Sequence, residues 1–150
     1  MSQGKDFVLR EIAPGTPEYV QAEEVRYRCL YADWNLSRDL VADTDGRTYR
    51  HVAAFDGDRV VGYGRVWLQD GHSKIFQLVV GAPYRRKGVG SAIVEKLALM
   101  AVAEGRDFVE LDARDTAIQF YSALGFEVSG PEFLSPRTNT PHRAMRRRLP

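Results

Sequence analysis

The stretch Tyr84–Leu97, YRRKGVGSAIVEKL, sets three cations, Arg85, Arg86 and Lys87, against two glycines and then runs into apolar residues at helical spacing. That arrangement suits an anion. The first N–H groups of a helix have no intrahelical partner and lie at the positive end of its dipole, which favours phosphate. Gly88 and Gly90 lack the Cβ atoms that would keep ligand oxygens from those amides, and Arg can grip phosphate oxygens with two donors. A pyrophosphate is therefore expected over residues 85–91, although such a turn can also be a plain basic connection. Two nucleotide motifs do not fit. A Walker loop needs Lys after its last Gly, whereas Lys87 precedes Gly88; a dinucleotide fingerprint needs a third glycine where Ile93 stands.

The elements that must position this turn are legible as separate periodic runs. FVLREI (residues 7–12) has strand character, and a helix follows with Thr16 as N-cap and Pro17 at its first position. Residues 50–80 form a predicted three-strand meander, because Asp56-Gly57 and Asp70-Gly71 are hairpin-turn pairs between β-rich runs. From Gly88 the period changes: Val89, Ala92, Ile93, Leu97, Met100 and Ala101 share a helical face, with Gly105 as its C-terminal cap. FVELDA (residues 108–113) then reads as a strand parallel to the one before the helix, and DTAIQFYSALGF as a short helix capped by Asp115 or Thr116 and stopped by Gly125. EVSG and HRAMRRRL close the pattern as two strands. The fold class is α/β: a mixed sheet with helices on its faces, in one domain over residues 1–150.

Composition limits the function. A chain of 150 residues with 44% apolar and 11% aromatic residues can close one core. Its 21 Lys and Arg balance 20 Asp and Glu, so there is no general attraction to nucleic acid or an anionic membrane. The basic end HRAMRRRLP lacks the aromatic interleaving of a base-stacking platform and reads as a charged edge strand. The start, MSQGKDFVLR, has no apolar signal segment, no apolar run reaches a spanning length, and Cys29 stands alone. A soluble, cytoplasmic protein without metal is expected.

Arg85-x-x-Gly88-x-Gly90 after LVVGAPY resembles the acetyl-CoA signature of the GNAT superfamily of acetyltransferases, and AIQFYSALGF resembles that family's second motif. The tail, GPEF followed by PHRAM, is similar to the small ElaA-like branch. The resemblance implies the GNAT acyl-CoA N-acyltransferase fold, with acetyl-CoA as co-substrate and a small-molecule or peptide amine as acceptor, in a chain that forms a homodimer in some members. It also implies that the strand ending at Val80 splays from its neighbour, so that Leu78, Val79 and Val80 pair with the pantetheine arm. The amides of Arg85, Arg86, Lys87, Gly88, Val89, Gly90 and Ser91 would hold the pyrophosphate, with Arg114, Ala117 and Phe120 alongside. Arg114 stands where the family often has Asn, and Pro83 one place later than usual.

Acetyl transfer to an amine needs a proton acceptor, an N–H for the developing oxyanion and an acid for the departing thiolate. The resemblance implies Tyr121 for the acid and a backbone N–H near Val79 or Val80 for the oxyanion. For the base, His72 sits at a hairpin tip, Glu110 and Asp112 alternate along one strand, and Glu23 and Glu24 lie on the first helix, where a wet face is expected. Glu132 and His142 in the tail are the candidates of interest, as a catalytic pair or as a structural hydrogen bond. Trp34 and Trp67 are either pocket walls or core. A module that binds acetyl-CoA without turnover is the competing function.

Overall fold

The computed structural model describes residues 7–41 and 45–150. Residues 1–6, part of the start read above for a signal segment, lie outside them. Strand β1 (Val8–Ile12) leads to helix α1 (Pro17–Leu30), and two 3-10 turns (Ala32–Trp34 and Arg38–Val41) precede the meander β2 (Tyr49–Asp56), β3 (Arg59–Trp67) and β4 (Lys74–Val80). A 3-10 turn (Ala82–Tyr84) delivers the chain to α2 (Val89–Ala103), then β5 (Phe108–Arg114), a 3-10 turn (Asp115–Ala117), α3 (Ile118–Ala123), β6 (Glu127–Val128), β7 (Phe133–Leu134) and β8 (Pro141–Arg148).

Local chemistry accounts for most of these boundaries. Thr16 Oγ1 accepts from the Tyr19 N–H at 3.3 Å, with Pro17 at the first helical position of α1. At the second hairpin Asp70 and Gly71 take φ +53° and +79°, the paired positive values of a two-residue turn that follows strand twist. Helix α2 ends in a Schellman motif: Arg106 N–H reaches Ala101 O at 3.0 Å and Gly105 N–H reaches Val102 O at 2.9 Å, with Gly105 at φ +77°. Gly125 ends α3 in the same way.

The strands form one sheet in the order β1-β2-β3-β4-β5-β8, and both β6 and β7 pair with the other edge of β8. Among the described residues only β4 and β5 pair in parallel, as the intervening helix requires. One face packs α1 through Tyr19, Ala22, Phe55, Tyr63 and Val79; the other packs α2 through Val89, Ile93, Leu97 and Ala101 on Val52, Val61, Val66 and Leu111. Helix α2 approaches β3 closely because two glycines face it. A Cβ on Gly62 would stand 2.9 Å from Val89 Cγ1, and one on Gly64 would stand 2.8 Å from Ile93 Cγ2.

Three expectations are corrected. Asp115 and Thr116 lie in a 3-10 turn, and α3 starts at Ile118 with Ala117 at its N-cap and no side-chain cap. Phe133–Leu134 forms a further strand, too short to show alternation. The basic strand β8 is not an edge: β5 and β6/β7 flank it, Met145 is buried, and Arg147 gives two hydrogen bonds, 2.8 and 3.1 Å, to Glu95 on α2.

Gly64→Val should lower stability by about 1–3 kcal/mol through overpacking against α2, measured from urea unfolding midpoints. Unchanged stability would mean that the helix does not rest on that glycine.

Candidate functional site

β4 and β5 pair at only two positions, Lys74↔Glu110 and Ile75↔Leu111, and then separate. The cause lies one strand away. Tyr63 pairs Val79 and Arg65 pairs Phe76, so Gln77 and Leu78 together oppose Gly64: a β-bulge, with Gln77 at φ +55°. A non-glycine residue resists that backbone, and here its side chain is tied on both sides. Arg26 of α1, fully buried, donates from Nε to Gln77 Oε1 at 2.8 Å and from Nη2 to Val41 O at 2.9 Å. Gln77 Nε2 in turn donates to the Tyr31 hydroxyl at 3.3 Å. Arg137, from the loop between β7 and β8, donates to the same hydroxyl at 2.6 Å and to Leu40 O at 3.0 Å.

The divergence opens a cleft of about 630 Å³. Its walls at one end are Leu78 and Val80 of β4, Cys29, Arg85, Ala117 and Tyr121; at the other they are Tyr31, Asp45, Arg47, Tyr49, Arg65 and Arg137. Gly81 N–H donates to Val61 O at 2.8 Å, so antiparallel alternation makes 61/81 and 63/79 the hydrogen-bonded pairs and turns the peptide groups of Val80 to the cleft. Val80 O accepts there from Arg85 Nε at 3.0 Å and from the Cys29 thiol at 3.6 Å. By the same alternation the Val79 N–H faces β3, so of Val79 and Val80 it is Val80 whose N–H is turned to the cleft.

Next to this edge stands the N-terminus of α2. Its first backbone bond runs from Ala92 N–H to Gly88 O, so the Val89, Gly90 and Ser91 amides precede the ladder. Gly88 at φ +83° and Arg86 at φ +63° turn the chain into the helix. Gly90 has a second reason besides ligand approach, since a Cβ there would stand 3.3 Å from Phe120 Cζ and 3.5 Å from Val80 Cγ2. Arg85, Arg86 and Lys87 are all exposed at this turn.

Tyr121 lines the cleft, edge-on to Phe120 and Phe126 with ring centroids at 5.0 and 5.8 Å. Burial pushes its phenol up to about 12, so it stays protonated throughout the neutral range. Burial likewise pushes the Cys29 thiol up, against the opposing pull of Arg85. At the far end burial raises the Asp45 carboxyl, but the Tyr49 hydroxyl at 2.6 Å, the Arg47 N–H at 3.0 Å and the Arg47 charge outweigh it and leave the carboxyl below its ordinary value. Among the described residues no three His, Cys, Asp or Glu side chains group as metal ligands, and no helix is long and apolar enough to cross a membrane.

Residues 7–126 match the model of the Acetyltransferase (GNAT) family. The chain belongs to the GNAT family of acetyltransferases. Over 135 residues it is 30% identical to an uncharacterized N-acetyltransferase, YjcF, of Bacillus subtilis, covering 89% of this chain and 95% of the relative. Its fold is that of Escherichia coli ElaA (TM-score 0.77, 21% identity, 94% of this chain and 99% of that one). It is also that of an aminoglycoside 6'-N-acetyltransferase complexed with coenzyme A (TM-score 0.76, 18% identity, 95% and 98%). Family membership makes the chain an acetyl-CoA-dependent acetyltransferase.

Within the GNAT frame the remaining candidates separate. His142 lines the cleft beside Phe133, and its Nδ1 is 2.9 Å from Thr140 O. A carbonyl only accepts, so Nδ1 carries a proton, and in the neutral ring Nε2 is left with the lone pair. Glu132 is exposed, is not among the cleft walls and is not the partner of His142, because the loop's own carbonyl takes that place. Arg114 pairs with His142 across the strands and lines the cleft. Glu24 bridges Arg28 and Arg38 on the outside of α1, Glu110 is exposed, and Asp112 meets Lys74 at 2.9 Å on the cleft wall. His72 stacks on Trp67 at 3.8 Å, and Trp34 is half exposed; none of these three is among the cleft walls. Arg26, Tyr31, Gln77 and Arg137 carried no sequence signal, since their contacts span 46 to 106 residues.

Gln77→Ala should cost about 1–3 kcal/mol, because it removes the buried hydrogen bond from Arg26 Nε, and Gln77→Gly should cost less, because glycine accepts φ +55°. Urea unfolding of both variants checks the order; the reverse order would remove the bulge from the account.

Proposed function

We propose that the chain moves the acetyl group of acetyl-CoA to a primary amine by direct attack in a ternary complex. The observation that carries this is the gap between β4 and β5, which presents the peptide groups of Val80 on one wall and Tyr121 on the other. An extended amide chain fits against such an edge as an added strand. A pyrophosphate fits the amides of Gly88 to Ser91 and the cations Arg85, Arg86 and Lys87. Arg85 already engages Val80 O, so a ligand amide would displace the weaker thiol donor, Cys29.

Acetyl-CoA supplies an acyl carbon bound to a thiolate leaving group. The Val80 N–H meets the oxygen on which charge develops. His142 Nε2 takes the proton from the attacking amine, directly or through one water, while its Nδ1–H holds the ring on Thr140 O. Tyr121 gives its proton to the sulfur as the C–S bond breaks. The dry wall that raises the phenol also raises the basicity of a thiolate placed against it, so the two stay matched.

Calorimetry should show acetyl-CoA binding to the folded protein, and Gly88→Val should abolish it, because a branched residue resists φ +83° and covers the amides. Absence of binding at millimolar ligand would overturn the proposal. Tyr121→Phe should lower kcat roughly ten- to thousand-fold with acetyl-CoA affinity unchanged. His142→Asn, which keeps a donor for Thr140 O, should lose rate but not melting temperature, whereas His142→Ala should lose both. Full turnover in either the Phe or the Asn variant removes that residue from the mechanism.

A further inference from the structure

The end of the cleft away from α2 has an unexpected charge for an enzyme that binds amines. The carboxylates among its described residues are already occupied. Asp45 Oδ2 accepts from Tyr49 at 2.6 Å, Asp45 Oδ1 accepts from the Arg47 N–H at 3.0 Å, and Asp112 meets Lys74 at 2.9 Å. Its hydrogen-bond donors, in contrast, are left over. Both bonds from the Arg137 guanidinium leave from Nη1, to Tyr31 and Leu40, so Nε and Nη2 retain their protons for another partner. The Arg47 guanidinium lies 4.2 Å over Trp67, pairs with Asp45 at 3.7 Å and faces the Tyr49 hydroxyl, so it brings its charge to this end but shares part of it. The Tyr31 hydroxyl, 4% exposed, accepts from both Gln77 and Arg137 and keeps its own proton to donate.

We propose that this end of the cleft is an oxyanion-binding subsite, and that the acceptor is a primary amine that also bears a carboxylate or phosphate. The proposal rests on the acetyl-transfer function above. A planar guanidinium pairs an oxyanion with two parallel N–H donors, and Arg137 comes from a loop that its own bonds to Tyr31 and Leu40 hold in place. The same cations act on the nucleophile. A positive wall disfavours the ammonium form of a nearby amine, so it raises the fraction of neutral amine able to attack. An acidic wall would bind the ammonium more tightly and keep it protonated.

The test uses matched amines with the full-length protein: lysine against cadaverine, and β-alanine and O-phosphoethanolamine against ethanolamine. CoA release and the melting temperature of the CoA-loaded protein are the two readouts, with acetyl-CoA affinity measured separately by calorimetry. The oxyanion-bearing members should exceed their neutral-tailed partners in kcat/KM by about tenfold or more, and the better of β-alanine and phosphoethanolamine names the oxyanion. Arg137→Gln and Arg47→Gln should each raise KM for that member by at least several-fold more than for its plain partner, with kcat for that member within about threefold. Equal or better turnover of cadaverine and ethanolamine would overturn the subsite, as would variants that raise KM for both members alike. If acetyl-CoA binds but no amine of the panel releases CoA or shifts melting, the subsite falls while the cofactor site stands. If acetyl-CoA does not bind, the acetyl-transfer proposal and the subsite fall together.

Discussion

Gln77 is held at φ +55°, a backbone region that costs a non-glycine residue on the order of 1 kcal/mol or more. Two hydrogen bonds hold it there, one from the buried guanidinium of Arg26 and one to Tyr31. Because Gln77 and Leu78 share one opposite residue, β4 bends, and its pairing with β5 ends after Ile75. The open edge, the cleft and the exposure of the Val80 peptide all follow from that bend. Elsewhere the sheet is continuous, with seven register pairs between β5 and β8, so the gap is local and walled by rigid strands.

The two ends of the gap are built from different chemistry. At one end backbone does the work: the α2 amides and the Val80 peptide are fixed by secondary structure and need no side-chain ordering. At the other end side chains do it, and they come from four separate places: Tyr31 just after α1, Asp45 and Arg47 in the segment before β2, Tyr49 and Arg65 on β2 and β3, and Arg137 in the β7–β8 loop. Tyr31 joins them, as common acceptor for Gln77 and Arg137. A loop tied through one phenol to the bulge couples the shape of this end of the cleft to the opening between the strands.

Much of the frame was legible because its signals are local. Thr16-Pro17, the Asp-Gly hairpins, the apolar face of α2 and the glycines Gly105 and Gly125 each act within a few residues, and each placed an element where the structure has it. The family motif located the turn before α2 for the same reason. The bulge was not legible, since nothing in KIFQLVV distinguishes Gln77 from its neighbours, and its support comes from Arg26, 51 positions earlier. Nor was the charge of the cleft end away from α2, where Arg47, Arg65 and Arg137 converge in space. The basic tail misled for a related reason. Alternating Arg residues suggest an edge, but β8 gains β6 and β7 as neighbours, and one of its arginines finds Glu95 on α2.

The central claim is that the bulge frees the Val80 peptide to hold a ligand strand beside the α2 amides. Residue-resolved amide hydrogen exchange, with and without coenzyme A, tests it directly. The account predicts added protection at Val80 and at Gly88 to Ser91, with none at Val79, whose N–H is already committed to β3. Protection at Val79 with Val80 unchanged, or none at the start of α2, would contradict it.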